Sequence, residues 1–470
     1  MSIMNSKILK NIFSYSMGNL ISKAMLFLFN VIVARYYGSE IFGKYNYAVS
    51  VVTYFIMLAN LGIQSYSVYN VAKRVDDAEK IFREVVSAEV LLGTISSLLL
   101  VVFVLIVPIN RSMVLLVGIT ILISSIDISW LFQALQETQY VALQLLINSL
   151  LSFFLIGLLI IGGVKAYYGL PLIVAISQLI SYTVTWKSLR KKLHMKFRFT
   201  LENLLENIKN GLPFLFSGIF AAINCNIDIL LLTVMTNNHI VGVYSAIYKI
   251  VNLIIMIVSF IVAPVFPQMI SLYTKGDIIS LENIICKLWS SLAIIIFPIV
   301  IGGFITGEKL IVYMYGNDYS GGGITFSILL LYCFVFYFRE RYGYTLTMIG
   351  KQSLYMRIVL ISCIFNFAFN VILIFKINIV GAAIATLISE LINYTLMRYF
   401  ANKYCHMKIK IKVFKVIFNT VIMGIVTFLL YKRGVNVILN ICISMMIYAI
   451  LFLLTNITKI KNKNIREDIN

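Results

Sequence analysis

The chain has 470 residues, of which 60% are hydrophobic and only 12% are charged, whereas soluble domains are about 45–50% apolar and about 25% charged. Its mean hydropathy of +0.94 is too high for a water-soluble protein of this length, because a globular surface needs polar residues to cover it. The composition excludes a cytosolic enzyme, a nucleic-acid-binding domain and a secreted disulfide scaffold. It predicts a polytopic membrane protein.

Apolar stretches of about 20 residues recur along the chain, each long enough to cross roughly 30 Å of hydrocarbon as a helix. They predict an all-α fold with about fourteen transmembrane spans. Pro264 and Pro267 predict a bend in the eighth span, because each proline removes an intrahelical hydrogen bond. The predicted spans are residues 12–33, 45–68, 86–108, 113–135, 140–163, 168–189, 211–234, 241–268, 285–306, 323–347, 355–375, 379–400, 414–431 and 436–457.

The orientation of the chain can be predicted from its basic residues, which collect in the cytoplasmic loops of membrane proteins. If the N-terminus is cytoplasmic, the inside segments hold 27 Lys and Arg residues and the outside segments hold 8. The asymmetry predicts that both termini are cytoplasmic. It also explains the net charge of +20 without nucleic acid.

Two stretches of the chain resemble each other at matching spans. Gly43 and Tyr45 open the second span, while Gly242 and Tyr244 open the eighth, 199 residues later. On the sixth and twelfth spans, Ser-x-Leu-Ile-x-Tyr-Thr occurs at positions 212 residues apart. The pattern predicts two pseudo-symmetric blocks of six helices.

The long basic segments between the blocks suggest the domain boundaries. They predict an N-terminal six-helix lobe at 1–200, a C-terminal six-helix lobe at 201–402, and a two-helix extension with a cytoplasmic tail at 403–470. Because six is even, the second lobe has the same orientation as the first. Such parallel repeats are typical of alternating-access transporters, which bind substrate between their halves.

Motifs in the first four spans resemble those of a known transporter group. Residues 33–45 contain an Ala-Arg-x-x-Gly turn followed by Phe-Gly-x-Tyr, and residues 11–15, 61–63 and 130–133 also fit. The chain is similar over residues 1–402 to the multidrug/oligosaccharidyl-lipid/polysaccharide exporter superfamily. Within it, the chain most resembles the Wzx-type flippases of O-antigen and capsule repeat units.

This resemblance implies a substrate and a location. The substrate would be an oligosaccharide on undecaprenyl pyrophosphate, moved from the cytoplasmic to the outer leaflet of a bacterial plasma membrane by alternating access. Membrane lipids, a polysaccharide polymerase and chain-length proteins would be its partners. No phosphate-binding loop occurs, and the six Cys and three His residues are scattered. We therefore expect no catalytic residues, cofactor or metal.

Four basic residues lie well away from the ends of predicted spans, where an isolated charge costs roughly 2.5–3.5 kcal/mol. They are Lys23, Lys249, Arg339 and Arg341. One interpretation is that they line a cationic cavity that attracts the substrate's pyrophosphate. The alternative is that they pair with carboxylates or extend to the membrane surface.

Three acidic residues within the spans are candidates for ion coupling: Asp127, Asp228 and Glu390. Buried carboxylates in carriers relay protons or bind sodium. Asp228 is the leading coupling candidate because two asparagines precede it on the same span. As the alternative, the three acids are counter-ions of the buried bases.

Two further functions remain open at this stage. One is a cation-coupled multidrug exporter of the same superfamily, and the other is a lipid-II-type peptidoglycan flippase. A cationic drug would favour acids over bases in the cavity, whereas four bases inside the spans favour an anionic substrate. A membrane polymerase or ligase is disfavoured because the outer loops are short.

Overall fold

The structure, a computed structural model, describes residues 2–163, 166–192, 195–405, 407, 411 and 413–467, except for the side chains of 2–16, 192, 221, 224–225 and 456–470. The described part is almost entirely helical and contains no β-strand. Its helices are α1 (Ser2–Asn60), α2 (Ile63–Lys73), α3 (Ala78–Ile106), α4 (Arg111–Ser124), α5 (Ser129–Ala134), α6 (Thr138–Ile161), α7 (Gly169–Lys192), α8 (Leu204–Met235), α9 (Asn238–Val262), α10 (Phe266–Thr274), α11 (Ile278–Tyr315), α12 (Gly323–Met348), α13 (Gln352–Tyr404), α14 (Phe414–Lys432) and α15 (Val437–Glu467).

Two of these helices contain a sharp break where a loop is predicted. The backbone of α1 leaves the helical region at Gly38, with φ 79°, and that of α13 leaves it at Ile377 and Asn378. Within the described residues, ten helical segments are long and apolar enough to cross a membrane, and two shorter apolar helices accompany them. The protein is therefore a multi-pass, all-α membrane protein, compatible with the fourteen predicted spans.

Three predicted spans are interrupted in the structure. The span 113–135 is interrupted between α4 and α5, and the span 45–68 between α1 and α2. In the span 241–268, the predicted bend is a break, because α9 ends at Val262 and α10 begins at Phe266. Pro264 falls in the gap, and Pro267 lies in the first turn of α10, where helix residues need no intrahelical donor.

The chain forms two compact units, which we call the N-terminal unit (residues 1–245) and the C-terminal unit (residues 246–470). In the N-terminal unit, α1 packs against α3, α4, α6 and α8. In the C-terminal unit, α12 packs against α11 and α13, and α14 and α15 pack against α11. Large apolar side chains such as Phe82, Phe132, Trp289 and Phe326 are fully buried within these units.

The two Gly-x-Tyr sequences lie against each other in the N-terminal unit. A Cβ atom at Gly43 would lie 1.9 Å from the carbonyl oxygen of Asn238, and one at Gly242 would lie 1.9 Å from that of Ser39. Beside them, Ser39 Oγ and His239 Nδ1 form a 2.5 Å hydrogen bond. Glycine is required at both positions because α1 and α9 approach backbone to backbone.

Candidate functional site

A polar chamber lies inside the N-terminal unit. It consists of two cavities of about 210 Å³ and 260 Å³, both of which are lined by Asp127, Gln178 and Tyr182. No Lys or Arg occurs among the described residues that line either cavity. The other polar side chains of the chamber are Asn60, Gln64, Glu89, Ser124, Ser125, Ser129, Gln133, Gln144, Asn148 and Ser181.

Glu89 on α3 is the most deeply buried acid of this chamber, with 1% of its surface exposed. Its carboxylate accepts hydrogen bonds from Asn60 Nδ2 at 2.9 Å and from Gln64 Nε2 at 3.2 Å. These two donors flank the break between α1 and α2, where Leu61 and Gly62 have positive φ. The break therefore directs the amides from the ends of both helices onto one carboxylate.

Asp127 is predicted to lie on a helix, within the span 113–135. In the structure it lies in the interruption between α4 and α5. Its Oδ1 accepts hydrogen bonds from the backbone N–H of Ser129 at 2.9 Å and from Gln144 Nε2 at 3.1 Å. This interaction with the start of α5 explains the interruption, because Asp side chains compete with helical hydrogen bonding. Asp127 and Glu89 line the same cavity of about 210 Å³.

Two buried acids, Glu84 and Glu89, are not among the residues predicted from the sequence. Glu84 is 7% exposed and accepts hydrogen bonds from Asn203 Nδ2 at 3.0 Å and Asn207 Nδ2 at 3.4 Å. Glu89 falls inside the predicted span 86–108. Because carboxylates are rare within membrane spans and mark functional sites, its position in the sequence could have identified it as a candidate. The amides that donate to Glu84 and Glu89 lie in other parts of the chain, and no sequence motif connects them to these acids.

The second predicted acid of this unit, Asp228 on α8, is also buried, with 4% of its surface exposed. Its Oδ2 accepts a 2.5 Å hydrogen bond from the hydroxyl of Tyr244, in the second Gly-x-Tyr sequence. Asp228 does not line the polar chamber. The structure therefore separates the two coupling candidates of the N-terminal unit.

A buried ion-pair cluster lies in the C-terminal unit. Arg339 Nη1 lies 2.8 Å from Glu340 Oε1, and Arg339 Nε lies 2.7 Å from Glu390 Oε1. Asn393 Nδ2 donates to the other oxygen of Glu390 at 3.3 Å. Only 9% of the Arg339 side chain and 6% of the Glu390 side chain are exposed. The arrangement makes Glu390 a counter-ion of Arg339.

The other three predicted cations lie on three different helices. Lys23 is exposed on α1, in the N-terminal unit, whereas Lys249 on α9 is only partly exposed, in the C-terminal unit. Arg341 is partly buried, donates to the Tyr342 hydroxyl, and has its guanidinium 4.4 Å from the centre of that ring. Within the described chain, no carboxylate forms an ion pair with Lys23, Lys249 or Arg341.

Comparison with known proteins identifies the family. A family model described as "Polysaccharide biosynthesis protein" matches residues 8–272, more than half of the chain. The chain belongs to this family. The match covers the whole polar chamber and also Lys23, Asp228 and Lys249.

Two curated relatives of this chain are named for glycan or polysaccharide biosynthesis. The chain is 22% identical over 226 residues to a probable low-salt glycan biosynthesis flippase of Haloferax volcanii, covering 47% of this chain and 48% of the relative. It is 23% identical over 406 residues to the capsular polysaccharide biosynthesis protein CapF of Staphylococcus aureus, covering 83% of this chain and 98% of the relative. The chain thus matches about half the length of the first relative and nearly all of the second.

Solved structures show that the family member shares a known fold. The lipid II flippase MurJ in an inward closed conformation matches with a TM-score of 0.72 and 14% identity, covering 95% of this chain and 99% of MurJ. An inward-facing multidrug resistance MATE transporter of the MOP superfamily matches with a TM-score of 0.65 and 13% identity, covering 84% of this chain and 99% of the transporter. At these identities, the likeness concerns the fold alone.

Proposed function

We propose that the protein is a flippase for a lipid-linked oligosaccharide. It moves an undecaprenyl-pyrophosphate-linked repeat unit from the cytoplasmic to the outer leaflet for O-antigen or capsule synthesis, by alternating access. The observation that carries this proposal is the family match over residues 8–272. The names of the two relatives, a glycan biosynthesis flippase and a capsular polysaccharide biosynthesis protein, support the same substrate class.

Deleting the gene in its host tests the proposal. The deletion should abolish the surface polysaccharide and increase lipid-linked repeat units on the cytoplasmic leaflet, and the wild-type gene should restore both. The expected location is a bacterial plasma membrane, with a polysaccharide polymerase and chain-length proteins as partners. Normal surface polymer without accumulation of the repeat unit would contradict the proposal.

A lipid II flippase is the second candidate, because the MurJ fold covers 95% of this chain. In that case, depletion of the protein should increase lipid II on the cytoplasmic leaflet and stop peptidoglycan synthesis. The lipid-linked precursors that accumulate therefore distinguish the two candidates. The polysaccharide substrate is favoured because it agrees with the family match and with both curated relatives.

Of the four predicted cations, we propose that Lys23, Lys249 and Arg341 contact the pyrophosphate group of the substrate. These three have no carboxylate ion pair within the described chain, so their positive charges are not neutralised locally. Arg339 already contacts two carboxylates and serves the fold instead. Lys23→Ala and Lys249→Ala should each reduce export at wild-type abundance, whereas unchanged export would contradict the assignment.

The polar chamber supplies the ion coupling in this proposal. Glu89 and Asp127 line the same cavity, where two ionised carboxylates would repel each other, and no base lines the chamber within the described chain. Binding a proton or a monovalent cation there would relieve the repulsion. Asp228, outside the chamber and held by Tyr244, is the second coupling candidate.

Matched variants separate coupling from folding. Glu89→Gln and Asp127→Asn should remove the dependence of transport on an ion gradient. Glu84→Gln is the control, since Glu84 is also buried and bound by amides but lies outside the chamber. Wild-type gradient dependence in both chamber variants would rule out this coupling site.

A further inference from the structure

Arginine and tyrosine side chains form a cluster on α12 and α13 of the C-terminal unit, apart from the Arg339 ion pairs. The rings of Tyr342 and Tyr394 pack edge to face, with centres 5.9 Å apart. The Arg341 guanidinium lies 4.4 Å from the first ring, and Arg398 Nη1 donates to the Tyr394 hydroxyl at 3.1 Å. Two guanidinium groups are therefore held against one pair of aromatic rings.

Two cavities meet at this cluster. A cavity of about 40 Å³ is lined by Arg341, Tyr342 and Asn402, among others. A larger open groove of about 660 Å³ is lined by Asn402 together with Arg398 and Lys403. Asn402, which lines both, links the cavity beside Arg341 to the groove beside Arg398 and Lys403.

The charged residues that line these cavities within the described chain are all basic. No carboxylate lines either cavity within the described chain, and the sequence has no Asp or Glu between Glu390 and Glu467. Glu282 on α11 is an acid near Cys405 at the edge of the smaller cavity. The cluster is therefore suited to a ligand that brings its own negative charge.

The donor groups of the cluster suit a phosphate. Each guanidinium has five N–H donors in a planar fork that matches phosphate oxygens, and one of these already binds a tyrosine hydroxyl. Arg398, Asn402 and Lys403 place their donors along the groove, and Arg341 places its donors along the smaller cavity. Arg398, Asn402 and Lys403 are all exposed.

The location of the groove favours a lipid as the molecule that carries the phosphate. The groove lies at the end of an apolar helix that is expected to reach the cytoplasmic surface, and its walls include Tyr399, which is 61% exposed. Tyrosine and basic side chains are the residues that contact headgroups at this depth. We infer that Arg341, Arg398, Asn402 and Lys403 form a binding site for the phosphate group of an anionic membrane lipid.

Two membrane lipids offer this chemistry, an anionic phospholipid and a polyprenyl pyrophosphate. The second rests on the proposed function, whereas the first does not. Binding to the purified full-length protein should be measured by native mass spectrometry with phosphatidylglycerol, undecaprenyl pyrophosphate and, as a zwitterionic comparison, phosphatidylcholine. If undecaprenyl pyrophosphate displaces phosphatidylglycerol, the ligand is the substrate lipid, and if it does not, the ligand is the phospholipid.

The double variant R398Q/K403Q tests the site. Removing two cations beside an anionic lipid should weaken its binding by about thirtyfold. The control K432Q/R433Q removes the same two residue types at the end of α14, where both are exposed, and should change binding less than twofold. All four substituted residues are exposed, so melting temperatures should match the wild type.

Two binding results would contradict the phosphate site. If R398Q/K403Q binds both anionic lipids as tightly as the wild type does, or if phosphatidylcholine binds as tightly as phosphatidylglycerol, the phosphate site does not exist. Neither result depends on transport. Failure of this inference would therefore leave the flippase proposal standing, and failure of the flippase proposal would leave phosphatidylglycerol binding to be observed.

Discussion

Removing the Arg339 guanidinium should destabilise the C-terminal unit by about 3–5 kcal/mol, the usual cost of breaking a buried ion pair by deleting one partner. In the native protein, this guanidinium lies 2.8 Å from Glu340 and 2.7 Å from Glu390. Arg339→Met would leave both carboxylates without their cation in an apolar bundle. The side chains of Arg339 and Glu390 are only 9% and 6% exposed, so water cannot easily replace the lost contacts.

Thermal unfolding of the purified protein in detergent measures this effect. Arg339→Met should lower the melting temperature by several degrees, since unfolding entropies are about 2 cal/mol/K per residue. Arg341→Met is the control, because Arg341 lies on the same helix, with its guanidinium against a tyrosine ring instead of a carboxylate. It should melt close to the wild type.

A double-mutant cycle then isolates the pair. Arg339→Met combined with Glu390→Met should cost less than the two single changes added together, by about 0.5–3 kcal/mol. Part of the loss remains because Glu340 is still without its cation. Strict additivity, or a wild-type melting temperature for Arg339→Met, would refute the structural role of Arg339 and return it to the candidates for substrate binding.

Three other predictions concern packing, charge and topology. Gly43→Ala should impair folding because its Cβ would lie 1.9 Å from a carbonyl oxygen, whereas Gly157→Ala, into open space within a helix, should stabilise the protein by about 0.5–1 kcal/mol; melting temperatures decide. Lys23→Ala should strongly reduce surface polysaccharide while Lys23→Arg keeps substantial export, as measured at matched protein abundance. Reporter fusions at Asn110 should report the outside and those at Asp77 the inside, and the reverse would overturn the predicted orientation.

Much of the fold was predictable because the membrane requires long apolar segments. The breaks at Gly38 and at Ile377 and Asn378 fall in predicted loops, where the chain reverses between two apolar runs. The interruption at Asp127 was not predicted, since it depends on a hydrogen bond to Ser129 that competes with the helix. Apolar patterning locates helices well but does not reveal where a side chain ends one.

The candidate site was predicted only in part, because its partners come from separate helices. Asp127 and Glu390 were recognisable as charges within apolar runs, yet nothing in the sequence connects Glu390 to Arg339, 51 residues away. Glu89 was overlooked although it lies inside a predicted span. Its amide partners flank the break after Asn60, and that break was not predicted either.

Translocation in a purified system is the most direct test of the central claim. The full-length protein would be reconstituted into liposomes that contain an undecaprenyl-pyrophosphate-linked repeat unit, and the fraction of substrate in each leaflet would be followed with a membrane-impermeant sugar-modifying enzyme. We expect the protein to make the substrate of the inner leaflet accessible, and Lys23→Ala to slow this process. Liposomes with correctly folded protein that transfer substrate no faster than empty liposomes would contradict the claim.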